Sequence, residues 1–392
     1  MSDAILTLNA GSSSLKFAVF EIVGDRLRLS VKGEIEQLGG AQHFSAQDAL
    51  GKKLAEMSLN VGLSFDVLIE EVIEWVESHL GDAELAAVGH RLVHGGPNHA
   101  EPEHVTPELL KALDALLPLA PLHLPHNIAP IRAIARTRPG LFQVVAFDTA
   151  FHRTMPDVAR QIAIPMRYEK EGVRRYGFHG LSYEYIAGRL REIAPVLASG
   201  RVIVAHLGNG ASLCALKDGK SIDTTMGFSA LDGLVMGTRP GEIDPGVLFY
   251  LQEQHGMDVN ALQALLYHDS GLKGVSGISG DMRTLLASSE PRAEAAIALF
   301  VFRLVREIGA LTASLDGLDG LVFTAGIGEH APQIRAMTVD RLAWLGARLD
   351  ETANHKNEDL ISAADSRVGI HVIPTNEEIM IAQCVLRTIG RD

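Results

Sequence analysis

The chain has only two cysteines in 392 residues, Cys214 and Cys384. Two cannot build a disulfide framework and neither belongs to a CxxC pair, so a reducing setting, the cytoplasm, is expected. Aromatic residues make up just 5%. Basic residues are in deficit, 35 Lys and Arg against 48 Asp and Glu, for a formal charge of −13. That balance argues against a nucleic-acid partner or an anionic membrane surface. No uncharged apolar run approaches the roughly 20 residues of a membrane span. The N-terminus, with Asp3 and no apolar core segment, does not read as a signal peptide. Catalytic signatures are missing too: there is no GxxxxGK[ST] loop, no VAIK, HRD or DFG element, and no HExxH or Cys/His zinc spacing. If a metal takes part, Mg2+ with oxygen ligands is the expectation.

What is present is 47% apolar residues and 38 glycines in a chain too long for one ordinary core. These totals predict a loop-rich α/β enzyme of two domains. Its organising stretch is Ile5 to Val23, a strand, the small-residue break Ala10-Gly11-Ser12-Ser13-Ser14, and a second strand through Phe20. The tip of such a hairpin offers backbone N–H groups, hydroxyls, the Asn9 amide and the Lys16 ammonium, an inventory that suits phosphate. A second hairpin spans Arg201 to Leu216. An offset of 198 residues lays Gly11-Ser12-Ser13-Ser14-Leu15 on Asn209-Gly210-Ala211-Ser212-Leu213. A true echo would make the chain a duplicated α/β domain with one phosphate hairpin in each half.

Along the chain, an apolar stripe from Leu68 to Leu80 predicts a helix capped by Ser64 or Asp66, and Thr106-Pro107-Glu108 a capped helix start. Pro118 to Pro130, with four prolines, reads as an ordered loop, followed by a short helix over Ile131 to Arg136. Leu141 to Phe147 reads as a buried parallel strand that stops at Asp148. Ser182 is expected to cap a helix from Tyr183 to Ile193. A long helix from Pro291, capped by Ser288 or Ser289, is patterned on Ala295, Leu299, Phe302, Val305 and Leu311. Gly320 to Thr324 is a buried strand running into a glycine loop, Ala325 to His330, with a helix starting near Pro332. Four glycine-rich strand-end loops rimmed by acids and arginines suggest phosphoryl transfer.

The ordered set LTLNAGSSSLKF, GHRLVHGG, FDTAFH, RRYGFHGLS, AHLGNGAS, MGTRPGEIDPG, FTAGIGEH and PTNEE resembles the acetate/propionate/butyrate kinase family. It spans essentially the whole chain. The resemblance implies the actin, sugar-kinase and Hsp70-like ATPase fold: duplicated actin-like (ribonuclease H-like) α/β domains with a cleft between them. It divides the chain into 1–149 with the final helix 376–392, and a nucleotide-binding domain 150–375. It implies reversible transfer of the ATP γ-phosphate to acetate, giving acetyl phosphate and ADP, with Mg2+ (or Mn2+ in its place). A homodimer follows from the resemblance alone. The rival readings are a propionate or butyrate kinase, and an actin-like nucleotide-binding protein that transfers nothing; Arg91 and His179 speak against the last, because nucleotide binding needs no second anion clamp.

A carboxylate with a pKa of about 4 to 5 is already ionised near neutrality, so no base is needed to activate it. The difficulty is bringing one anion to another in line. By the resemblance, Arg91 takes the substrate carboxylate, Arg239 the transferring phosphoryl group, and His179 its equatorial oxygens. Asp148 completes the catalytic set, orienting an arginine or hydrated Mg2+ rather than moving a proton. Val93, Leu122, His123, Phe178 and Ala230 line the acid pocket. Asn9 and Glu377 are the metal ligands. Ser12, Ser14, Lys16, and the tip His206, Leu207, Gly208, Asn209 and Gly210 cradle phosphates. Asp281, Met282 and Arg283, with Gly326, Ile327, Gly328, Glu329 and His330, bind adenosine. The chain departs from the family pattern in His330 for asparagine, Ala230 for proline, and Leu-Pro-His-Asn after His123 for the more usual Asn-Pro. The loss of wall volume at Ala230 makes room for a slightly longer acid, although one methylene discriminates by only about 1–3 kcal/mol.

Overall fold

The computed structural model describes residues 3–11, 14–36, 38, 42–59 and 65–390. Two compact units emerge: residues 1–150 with 376–392, and residues 151–375.

The first unit is built on an eight-stranded sheet. Its strands are β1 (Asp3–Ala10), β2 (Ser14–Val23), β3 (Arg26–Glu36), β4 (His43–Asp48), β5 (Lys53–Ser58), β6 (Glu84–Leu92), β7 (Glu103–His104) and β8 (Phe142–Phe147), in the order β5-β4-β3-β2-β1-β6-β8-β7. The first five form an antiparallel meander, and β1, β6 and β8 run parallel. Residues Ala4 to Leu8 are all buried because both faces of β1 are covered. Leu6 and Leu8 pack with Leu68, Val72 and Val76 of helix Phe65–Glu77 and Ile134 of helix Leu124–Thr137. Ile5 faces the other way, into a cluster with Ala382 and Val385 of the C-terminal helix Glu377–Ile389. Gly89 admits that helix: a Cβ there would lie 2.6 Å from Ile381 and 2.7 Å from Val385.

The helix Leu124–Thr137 corrects the expected loop. Pro125 lies in its first turn, where no donor is required, and Pro130 is accommodated inside it. The buried stripe of Leu124, Ile128, Ile131 and Ile134 outweighs the cost of that interior proline. Thr106 caps helix Pro107–Ala115 by accepting from Leu109 N. Asp66 stands in the first turn of its helix, and Ser64 lies outside the described residues.

The second unit holds β9 (Arg201–Leu207), β10 (Ala211–Lys217), β11 (Lys220–Thr224), β12 (Gly320–Thr324) and β13 (Gly369–Val372), ordered β11-β10-β9-β12-β13. An antiparallel β11-β10-β9 meander continues into parallel β12 and β13, which repeats the order and sense of β3-β2-β1-β6-β8 in the first unit. The duplication therefore exists at the level of topology. The offset of 198 does not preserve pairing: it carries Ala10 and Leu15, which pair, to Gly208 and Leu213, whereas Leu213 pairs with Ala205. The two hairpin tips differ in length. Asp218 and Gly219, both at positive φ, make the two-residue turn into β11.

Three further expectations are corrected. Helix Gly180–Ile193 begins two residues before Ser182, with left-handed His179 (φ 59°) at its N-cap, so Ser182 is inside the helix. The long helix Pro291–Ser314 buries Ala296, Ile297, Phe300, Leu304 and Ile308, and leaves Phe302 51% exposed. The buried residues follow a regular i, i+3, i+4 stripe, and of the expected set Leu311 lies on it while Phe302 lies on the opposite face. Its N-cap position is Glu290, with no side-chain cap from either serine. Residues Ala325–His330 are a short helix following β12 directly, with Ala325 at φ 63°, and a second helix covers Pro332–Asp340. No described helix is long and apolar enough to cross a membrane. Both cysteines are buried and neither forms a disulfide.

Candidate active site

In the first unit, parallel strands β1, β6 and β8 deliver Asn9, Arg91 and Asp148 at their C-terminal ends, the place where open α/β sheets bind ligands. Arg91 Nε and Nη2 both donate to Asp148 Oδ2, at 3.0 and 2.5 Å, and Nη1 donates to Asn9 Oδ1 at 3.1 Å. Glu377, at the start of the C-terminal helix, accepts from Asn9 Nδ2 at 3.3 Å and stands 3.8 Å from Arg91 Nε. Burial pulls the guanidinium down, but Asp148 and Glu377 outweigh it and hold Arg91 above its ordinary value. Burial pushes the Glu377 carboxyl up; Arg91 opposes the rise and Glu378 adds to it. Among the described residues no group of three His, Cys, Asp or Glu side chains could hold a metal. Asn9 turns its amide nitrogen to Glu377 and its oxygen to Arg91, so Glu377 supplies the carboxylate oxygens here, and a carboxyl pushed up by desolvation gains from a nearby cation.

Lys16 is exposed on β2, directly opposite Asn9 in the hairpin register. Ser14 opens β2, and its carbonyl accepts from Gly11 N at 2.8 Å; Ser12 lies outside the described residues. Val93 is buried just past β6, while Leu122 and His123 are half-buried where helix Leu124–Thr137 begins. Asn127, which sequence reasoning did not single out, ties the region together. Its Oδ1 accepts from Val93 N at 2.9 Å and its Nδ2 donates to Ala10 O at 2.6 Å.

The second unit gathers His179, His206, Gly210 and Arg239. The two imidazoles stack with centroids 4.1 Å apart at 17°. His179 Nδ1 meets Ser212 Oγ at 2.8 Å, and His206 Nδ1 meets Ser182 Oγ at the same distance. A Cβ on Gly210 would lie 2.6 Å from Arg239 Nη2 and 3.3 Å from His179 Nε2, so this glycine lets the hairpin tip approach both. Burial lowers the Arg239 guanidinium, whose Nη1 donates to Ala230 O at 2.7 Å. Phe178 is buried, and its carbonyl accepts from His152 Nε2 at 2.9 Å. His152, also unassigned from sequence, is fully enclosed, and burial drops its pKa to about 4. The neutral ring donates from Nε2 and accepts at Nδ1 from Ser221 Oγ, 2.9 Å away.

Leu207 is buried at the end of β9, Gly208 N donates to Gly210 O, and exposed Asn209 accepts from Gly237 N through its carbonyl. Asp281 caps helix Met282–Leu286, Met282 is buried, and exposed Arg283 is engaged with Asp281. Gly326 and Ile327 lie on the short helix after β12; Glu329 Oε1 accepts from Ala325 N at 2.7 Å and Thr375 N at 3.1 Å, and His330 is exposed. Fully buried Arg335 supports this helix by donating to the Gly328 and Glu329 carbonyls and to Asn354 and Asn357. With only neutral acceptors around it, burial lowers Arg335 to about 10. No motif flags it.

The Acetokinase family pattern matches residues 4–383. An acetate kinase of Rhodopseudomonas palustris is 52% identical over 99% of this chain and 98% of its own length. Among solved structures, acetate kinase of Porphyromonas gingivalis superposes with a TM-score of 0.88 at 35% identity, covering 99% of this chain and 100% of its own. A propionate kinase of Francisella tularensis superposes at 0.90 with 38% identity, covering 97% and 98%. The chain therefore belongs to the acetokinase family and has its two-domain actin-like α/β fold.

Proposed function

We infer that this chain catalyses reversible, Mg2+-dependent transfer of the ATP γ-phosphoryl group to acetate, giving acetyl phosphate and ADP. The observation that carries this reading is the Arg91 guanidinium, pinned by Asp148 and Asn9 beside buried Val93. Two of its five N–H donors remain for a bound anion, and a planar fork suits a carboxylate. Acetate arrives ionised, so no residue need remove a proton. Asp148 orients Arg91 and balances its charge; it is not a base. In the second unit, Arg239 and His179 bind the transferring phosphoryl oxygens, where charge spreads in a loose transition state. The His206 to Gly210 tip in the second unit contacts phosphates, and Ser14 and Lys16 in the first carry the same role. Asp281 to Arg283 and Gly326 to His330 contact adenosine.

Asn9 and Glu377 are the residues that would hold Mg2+, directly or through its waters, and the ion supplies charge neutralisation between phosphates. The two compact units correspond to the two actin-like domains of this reading, and a homodimer in the cytoplasm belongs to it too. Val93, Leu122, His123, Phe178 and Ala230 would set acid length. The decisive assay traps acyl phosphate with hydroxylamine while acetate, propionate and butyrate are varied. ATP-dependent product with acetate preferred is expected; no product from any of them removes the reading, and a higher kcat/KM for propionate reassigns the substrate.

A further inference from the structure

Behind His179 lie two hydroxyls that the reaction itself does not call on. Tyr183, on helix Gly180–Ile193, is completely buried, and Ser212, on β10, is completely buried as well. Their oxygens are 2.5 Å apart, and Ser212 Oγ is 2.8 Å from His179 Nδ1. The direction of these bonds follows from counting protons. A phenol carries one hydrogen, and away from water that hydrogen must be donated. Ser212 Oγ is the hydrogen-bond partner of Tyr183 Oη among the described residues, so Tyr183 donates to Ser212. Burial pushes the phenol well above its ordinary value, which keeps the proton in place. Ser212 is then left with its own proton to give, and the remaining neighbour is His179 Nδ1. A nitrogen that accepts carries no hydrogen in the neutral ring, so the imidazole proton resides on Nε2. The reverse polarity would take from the fully buried phenol proton the Ser212 acceptor 2.5 Å away. Nε2 is the nitrogen turned toward the Gly210 tip and Arg239. Stacking on His206 holds the ring plane. The parallel pair behind His206, Ser182 and Thr375, sets no such direction, because Thr375 is only half-buried.

We propose that Tyr183 and Ser212 are positioning residues that lock neutral His179 in its Nε2–H tautomer, so that it meets the transferring phosphoryl group as a hydrogen-bond donor without being protonated. The assignment rests on the role given to His179 above, and it adds the source of that donor.

Histidine-selective 15N labelling of the full chain, with His179 assigned by its disappearance in His179→Gln, reads the tautomer directly from long-range 1H–15N correlations. The wild-type ring is expected as Nε2–H at neutral pH. Tyr183→Phe, nearly isosteric, is expected to lose that preference and to lower kcat about 10-fold with both KM values within about two-fold, because only transition-state contact weakens. Ser212→Ala should do the same. A wild-type Nδ1–H ring, an imidazolium at neutral pH, or an unchanged His179 signature in Tyr183→Phe overturns the proposal. The wild-type spectrum decides even if a variant fails to fold. Absence of acetyl phosphate from the wild-type protein would sink the functional reading instead, and leaves the spectrum to judge the tautomer.

Discussion

Both Nε and Nη2 of Arg91 converge on a single oxygen of Asp148, while Nη1 of the same guanidinium reaches Asn9. Three anchored donors fix the plane of the fork and leave its outer edge for a ligand. A lysine in this place has one nitrogen and cannot span Asp148 and Asn9 together. Arg91→Lys is therefore expected to lower kcat/KM for acetate by about 100-fold or more with the melting temperature nearly unchanged. Steady-state kinetics beside a thermal melt check this, and near-wild-type turnover would remove Arg91 from the site.

Glu377 carries two linked expectations. Its folded pKa is raised, by burial first, so its charged form opposes folding once pH exceeds the unfolded value near 4.5. Without Mg2+, Glu377→Gln should melt at or above the wild type at pH 8, with the difference vanishing as pH falls toward 4.5. In the assay the same variant should need about 10- to 100-fold more Mg2+ for half-maximal rate. A Mg2+ titration that superposes on the wild type would take Glu377 out of the metal site.

Gly210→Ala tests the approach of the second hairpin tip. The new methyl would stand 2.6 Å from Arg239 Nη2, the far end of a flexible side chain, so the fold should survive while Arg239 moves. A fall in kcat of about 10- to 100-fold is expected, read by turnover at saturating substrates. Unaltered kcat would show that Arg239 has room to spare.

His152 should contribute to acid sensitivity. Its folded pKa of about 4 lies below the ordinary value of 6.5 because burial disfavours the charged ring. Between these values the unfolded chain binds the extra proton, so stability is present above pH 6.5 and is lost as pH falls toward 4, by about 1.4 kcal/mol per pH unit. His152→Gln should cost about 1 kcal/mol at pH 8 through the altered hydrogen bonds and flatten the decline from pH 6.5 to 4.5. Urea unfolding across this range measures both, and parallel pH profiles would contradict the assignment.

Legibility in the sequence followed locality. The hairpins at Ile5 and Arg201 were readable because alternation and turn residues are contiguous, and the Asp218-Gly219 turn behaves as its residue types require. Thr106 could be picked as a cap for the same reason. Pro118 to Pro130 misled because proline counts as a breaker wherever it falls, while its effect depends on its place in the turn: Pro125 sits where no donor is needed. The long helix misled differently. Apolar residues such as Phe302 stand off its main stripe, and the buried set through Ile297, Phe300, Leu304 and Ile308 keeps helical spacing while Phe302 is exposed.

By itself the sequence determined the eight motifs, the strand and hairpin pattern, and which residue types stand at the strand ends, since each is written in a run of neighbouring residues. Tertiary structure alone decided their partners. Asn9 meets Glu377 across 368 positions, Arg91 meets Asp148 across 57, and Ser212 reaches His179 across 33. Those pairings depend on sheet register and helix packing, which set side-chain direction to within a hydrogen bond's tolerance. The buried supports Asn127, His152, Tyr183 and Arg335 belong to the same class: their chemistry arises from enclosure, and enclosure exists only once the chain has folded.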